Sequence, residues 1–364
     1  MQVFYVPVLK GKEGEYGALE ELHPECKDVT VPLIEVPSVP YDYANERPAR
    51  SLDEHVAGVA ERLSRSWAGR MLYLHMPWFG SNGLLEDGTP AVARVLRDCA
   101  GHGVYAVPVV GTSTSPACLQ AIHEHLRQSR GGFCVRLVER DFDEEGDVEP
   151  SDQLGRLLDA IGISRVGGGD LILDLGDIGV EVGRATLVAR SVLSAAPRIR
   201  EWRRVVLAAA SFPENLSDVS AATTSRLQRL EWQLWTRLQR RPKSLPRALV
   251  FGDYAIAHPV PTELDPRTMR MSASIRYTTP DEWLIVKGRN VRQYGFDQYY
   301  ELARELAKLP EYSGESFSWG DAFIARCARG DSGPGNATTW RKVGTNHHLT
   351  LVARELSASV PPAS

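Results

Sequence analysis

Eight short apolar runs, each ending in polar residues and most followed by a stretch of helical spacing, constrain this 364-residue chain more than anything else in it. They span 3–9, 29–36, 71–76, 104–110, 132–138, 171–178, 202–210 and 247–252. A strand covered on both faces has no solvent side, so a buried parallel strand reads as a continuous apolar run rather than an alternation. Eight such runs alternating with helices predict an α/β fold, a (β/α)8 TIM-like barrel. An open doubly wound sheet would show a glycine-rich loop after its first strand, and neither GxGxxG nor GxxxxGK[ST] occurs.

Helical spacing is read at 15–22, 51–67, 90–100, 117–128, 152–161, 182–196 and along a long helix after Thr224. Ser51 and Glu54 fit a capping box at the second of these. The pattern then changes. Residues 273–288 read as two β segments joined by a short turn, and 299–309 as a helix. The 340–351 segment holds His347 and His348 beside a β-like Leu-Thr-Leu-Val, a spacing that reads as strand. The expected division is a barrel over 1–262, a hairpin and helix extension packed on it over 263–357, and a disordered tail over 358–364.

A net charge of −4 argues against a nucleic-acid binder driven by bulk charge, while leaving room for a local basic groove. Nucleic acid is therefore not the favoured partner. Five scattered cysteines (26, 99, 118, 134 and 327) without CxxC spacing fit free thiols in a reducing cytoplasm. No signal peptide or bilayer-length apolar run is read, so a cytoplasmic protein with no membrane association is expected.

At the start of the chain, Pro7-Val-Leu-Lys10-Gly11-Lys12-x-Gly14-Glu15-Tyr16-x-Ala18-Leu19 resembles the opening of the phage beta protein family. Further matching stretches are the Asp174/Asp177 strand, Ser211-x-Pro213, Gly252-Asp253-Tyr254, and Trp340-Arg341 with Asn346-His347-His348. Members of that family also occur in bacterial genomes, some beside suspected defence genes. The resemblance implies one shared architecture and a role in phage conflict, with a protein partner in a defence system as one expectation. It assigns no catalytic residue.

In a barrel, active sites gather at the carboxyl ends of the strands. The polar tips of the eight runs are Lys10 and Lys12, Glu35, His75, Thr112 and Ser113, Arg136 and Glu139, Asp174 and Asp177, Ser211, and Asp253 with Tyr254. Glu35, Asp174 and Asp253 are expected to converge on the mouth. Three converging carboxylates repel, so they need a metal, a shared proton or basic partners such as Arg136 and Lys10. Two readings stay open: Mg²⁺ on Asp174 and Asp253 in a phosphoryl-type reaction, or an internal ion-pair network.

His75 joins the catalytic candidates through its near-neutral pKa, against a plain hydrogen-bonding role. Lys10, Gly11 and Lys12 read either as a solvated loop or as anion capture by two ammonium groups and an approachable backbone. Arg276 and Lys287, on the predicted hairpin, could extend over the mouth as an anion clamp. Ser211 lacks a GxSxG elbow and reads better as a cap than as a nucleophile, though with Tyr254 it stays among the ligand contacts. The cations 226, 229, 237, 240, 241, 243 and 247 read as a basic stretch along one helix and its exit, either solvated or facing nucleic acid. The function expected is binding of a phosphorylated or nucleotide-like ligand at the barrel mouth. The alternative is a non-enzymatic scaffold that recognises a phage or host protein or nucleic acid.

Overall fold

The computed structural model describes residues 3–77, 83–129, 131–142, 149–260 and 271–359. Trp78, the acidic residues within 143–148, the 262/263 boundary and the tail beyond 359 lie outside them.

The chain opens with β1 (Tyr5–Leu9), α1 (Glu13–Glu20), α2 (Pro24–Val29) and β2 (Leu33–Glu35), then a two-stranded ribbon of β3 (Tyr41–Asp42) and β4 (Arg47–Pro48). It continues through α3 (Leu52–Ala57), α4 (Val59–Trp67), β5 (Met71–His75), α5 (Ala91–Gly101), β6 (Tyr105–Val110) and α6 (Pro116–Gln128). Next come β7 (Cys134–Val138), α7 (Pro150–Ala160), β8 (Asp170–Asp177), α8 (Val182–Ala195) and β9 (Arg204–Ala210). After these stand β10 (Thr223–Gln228), α9 (Leu230–Gln239) and β11 (Val250–Asp253). The last part holds β12 (Ser272–Thr278), β13 (Glu282–Asn290), α10 (Val291–Tyr294), α11 (Gln298–Ala307), α12 (Trp319–Arg329) and α13 (Ala337–Ala358).

All eight predicted strands form one closed parallel barrel in the order β1-β11-β9-β8-β7-β6-β5-β2. Successive side chains alternate between its interior and the surrounding helices. Val6, Val8, Leu33, Tyr73, Val107, Cys134, Ile172 and Val206 fill the inside. Tyr5, Leu9, Ile34, Leu74, Val135, Leu173, Leu207 and Phe251 face the helical layer. The amino end is closed by Asp170, which accepts from Tyr73 (2.7 Å) and Arg203 (2.9 Å). That alternation decides which strand-end residues can reach the mouth.

β12 and β13 form the expected hairpin, extended by β10 into an antiparallel sheet ordered β10-β13-β12. Here the long helix expected after Thr224 is corrected. Residues 223–228 are a strand, because β13 offers a ladder, and the helix begins at Leu230. The capping box at Ser51 forms, with Glu54 N donating to Ser51 Oγ and Ser51 N donating to Glu54. Gly58 divides the helix that follows into α3 and α4.

The largest correction is at 340–351, which is helix and not strand. Residues 343–350 of α13 are buried all round, packed against α1, α12 and β12. A helix without a solvent face shows no amphipathic stripe, and tertiary packing overrides the β-propensity of Leu-Thr-Leu-Val. Among the described residues no helix is long and apolar enough to cross a membrane.

Candidate functional site

Inside the barrel, the alternation that points Val6 and Val8 inward carries on to Lys10. Likewise Leu33 leads to Glu35, Tyr73 to His75, Cys134 to Arg136 and Ile172 to Asp174. These five side chains, with Tyr254, meet at the carboxyl end, and all are buried. Arg136 is the hub. Its Nε donates to Asp174 Oδ2 at 2.8 Å, and its Nη2 reaches both Asp174 and, at 2.6 Å, the Tyr254 hydroxyl. Its Nη1 donates to Glu35 and to His75 Nδ1, the latter at 2.9 Å. Tyr254 donates in turn to Asp174, whose other oxygen accepts from Gly176 N at 2.9 Å. Lys10 donates to Glu35 and to the Pro259 carbonyl, and its ammonium lies 4.8 Å from the Tyr254 ring centre.

Two cations face two carboxylates, so the buried network is neutral by itself. Burial works to raise the Glu35 carboxyl, but Arg136 and then Lys10 outweigh it and hold it at about 2. Burial, then the Arg136 charge, pulls the His75 imidazole down to about 3 against the pull of Glu35. A neutral ring accepting at Nδ1 carries its proton on Nε2, so His75 is a donor at the mouth and not a base through Nδ1.

Asp253 is not in this group. It follows Phe251 on the outward face, and its partners are Tyr5 (2.7 Å), Ala255 N (3.0 Å) and His348 (2.8 Å). The expected convergence of three carboxylates is therefore two, with the third across the barrel wall. The pairing of Asp174 with Asp253 around Mg²⁺ does not fit. The two carboxylates face opposite sides, and each is already satisfied by donors. Among the described residues no group of three or more His, Cys, Asp or Glu side chains is placed to hold a metal ion.

His348 and its neighbour reach different partners from a helix. Burial lowers the His348 imidazole, and a neutral ring then donates to Asp253 and accepts from Thr278 Oγ1 (2.9 Å). His347 lies 2.8 Å from Asp321 Oδ2 and 2.7 Å from the Thr278 carbonyl. Its ring is stacked 3.8 Å from the Tyr277 ring centre.

Around the first βα loop the charge is uneven. Gly11 has φ +59°, and a Cβ there would stand 2.8 Å from the Glu35 carbonyl, so glycine is required. Lys12 follows at the start of α1. Glu15 accepts from Lys12 N at 3.1 Å and faces Arg341 of α13 at 3.9 Å. Arg276 donates to the Ile256 carbonyl (2.7 Å) and lies over the Phe212 ring, with no carboxylate partner among the described residues. Desolvation first, then Arg341, draws the Arg276 guanidinium downward, and desolvation with Arg341, Lys10 and Arg276 does the same to Lys12 against Glu15.

Three other expected contacts lie elsewhere or serve the scaffold. Ser211 caps α9, donating to Glu231 (2.6 Å) and accepting from Leu230 N (3.0 Å). Lys287 holds the Leu216 and Val219 carbonyls at 2.6 Å each. Asp177 is exposed, 3.6 Å from His258. Arg341 was missing from the expected site because its helix read as strand; its approach to Glu15 depends on the α1–α13 packing. No curated protein matches the chain. The family model that does match covers residues 5–354, so the chain belongs to the Beta protein family.

Proposed function

We propose that this Beta protein binds a phosphorylated or nucleotide-like ligand at the barrel rim, with Lys12, Arg276 and Arg341 on the phosphate. The observation that carries the reading is the surplus of cations there. Glu15, whose oxygens already serve Lys12 N and Arg341, is the one carboxylate acting on Lys12 and Arg341, and Arg276 beside them has no carboxylate partner among the described residues. Cations held near each other without counter-charge repel, and a bound anion relieves that repulsion. Beneath them Lys10, Glu35, Arg136, Asp174 and Tyr254 form the floor, and His75 offers its Nε2 proton to the ligand. Because the oxygens of Glu35 and Asp174 already accept from Arg136, Lys10 and Tyr254, these carboxylates act as positioning groups.

The self-neutral floor also favours a second reading, a non-enzymatic scaffold whose rim recognises a phage or host partner. Family membership supports a phage-conflict setting, and the free cysteines among the described residues suit a reducing cytoplasm.

The test is thermal unfolding with inorganic phosphate, nucleoside mono- and triphosphates, and sulfate as the bare-charge control. A specific ligand raises Tm in a saturating way, since binding to the folded state stabilises by mass action. Lys12→Gln should abolish most of that shift while leaving the ligand-free Tm nearly unchanged. Arg276→Gln should abolish it from a lower ligand-free Tm, because Arg276 also holds the Ile256 carbonyl and packs on Phe212. A flat response to every phosphate compound overturns the ligand reading.

A further inference from the structure

The basic stretch read as one helix and its exit is divided by the structure. Arg226 lies on β10 and pairs with Glu282 (3.0 Å) and Glu311, while Arg229 is fully buried against Glu231 and the Thr279 and Pro280 carbonyls. What remains is more concentrated. From residue 232 to 249 there are five cations and no carboxylate, and from 190 to 204 five arginines and one carboxylate, Glu201, with Arg198 paired to Glu201, and Arg203 and Arg204 to Asp170. Contacts bring the two segments together. Arg190 reaches Ser244 Oγ at 3.4 Å, and Arg247 donates to the Trp202 carbonyl at 2.5 Å and that of Arg203 at 3.2 Å. Arg203 and Arg204 stand at the start of β9, so this surface is at the amino end of the barrel, opposite the mouth.

Its leading cations are unmatched. Arg237, Arg240, Arg241 and Lys243 are exposed and make no ion pair among the described residues. Several surface arginines elsewhere are neutralised, as Arg94 is by Asp98 and Arg329 by Glu315 and Asp331. We propose that this amino-end surface is a sequence-independent binding site for the phosphate backbone of a nucleic acid. Arginine outnumbers lysine nine to one across the two segments, and its planar fork suits phosphodiester oxygens. Arg247 is held in place by backbone carbonyls, which lowers the ordering cost of a contact. An acidic membrane fits less well, because Leu187 is the one large apolar side chain exposed among the described residues 182–249, too little apolar surface to enter a bilayer. The net charge of −4 is no obstacle, since phosphate contacts need only local charge.

The experiment is fluorescence anisotropy of a labelled mixed-sequence duplex of about 20 base pairs titrated with the full chain, at salt from about 50 to about 200 mM. Binding should weaken steeply, with a log–log slope near −0.9 for each phosphate neutralised. The variant R237Q/R240Q/R241Q/K243Q should bind at least tenfold more weakly, with a slope shallower by about 3 to 4 units. Its Tm, checked in parallel, should stay close to the parent because these side chains are exposed and unpaired. The rim variant K12Q/R276Q should bind the duplex as the parent does, which separates this surface from the proposed ligand site. Unchanged binding by the quadruple variant, no duplex binding at the lowest salt, or capture by phosphatidylserine vesicles but not by duplex each overturns the proposal.

Discussion

Burial and the Arg136 charge both act on His75 and Glu35, and this makes the barrel mouth a source of acid sensitivity. His75 is held neutral to about pH 3, against an ordinary value of 6.5, by burial and the Arg136 charge. Its folded pKa is depressed, so between these two values the unfolded chain binds a proton that the native state refuses. Stability therefore falls as pH drops below about 6.5, by about 1 kcal/mol per pH unit from this residue. Glu35, held at about 2 against 4.5, adds a second loss that begins only below about pH 4.5. His75→Gln keeps an acceptor for Arg136 but has no proton to gain. Urea unfolding at pH 7, 6 and 5 should show the parent losing stability faster than the variant across that range. Equal slopes would mean that His75 is already charged in the folded protein. The mouth residues were readable because a polar group at the end of an apolar run is rare unless something needs it. Asp253 was misplaced for a related reason: in Val250-Phe251-Gly252-Asp253-Tyr254 both faces are buried, so no alternation tells which residue points in.

Among the elements, α13 is held by close approaches that only glycine allows. A Cβ on Gly320 of α12 would stand 2.4 Å from the Val343 carbonyl of α13, and one on Gly344 would stand 2.7 Å from the Arg276 carbonyl. These neighbours are backbone and cannot rotate away. Gly320→Ala should therefore destabilise by about 1–3 kcal/mol, although alanine favours helix. Gly155, inside α7, meets nothing within 4 Å, and Gly155→Ala should stabilise by about 0.5–1 kcal/mol. Chemical denaturation of the pair should give opposite signs, and a stabilised Gly320→Ala would mean that α12 and α13 do not cross so closely. Strands and most helices were legible because their periodicity reflects one consistent environment. β10 and α13 were not, since each depends on a partner distant in sequence: β13 turns 223–228 into strand, and burial on every side removes the stripe from α13.

At the scale of the whole molecule, the C-terminal helix is part of the barrel's own packing. Leu349, Val352, Ala353 and Leu356 belong to the apolar layer that holds Tyr5, Leu9 and Leu19. Burial of a large aliphatic side chain is worth about 1.5–3 kcal/mol, so the three of them supply roughly 5–9 kcal/mol. A typical domain is stable by only about 5–15 kcal/mol in total, so losing the helix would exhaust most of it. The same deletion leaves Asp253 without His348 and Asp321 without His347, and leaving a buried carboxylate without its partner costs about 3–5 kcal/mol more. A chain ending at Gly335 should therefore fail to fold, although it retains all eight barrel strands. For the intact protein, calorimetry and tryptophan fluorescence should report one coincident transition. A truncated chain that elutes as a compact monomer and melts within a few degrees of the parent would show that the barrel stands without α13.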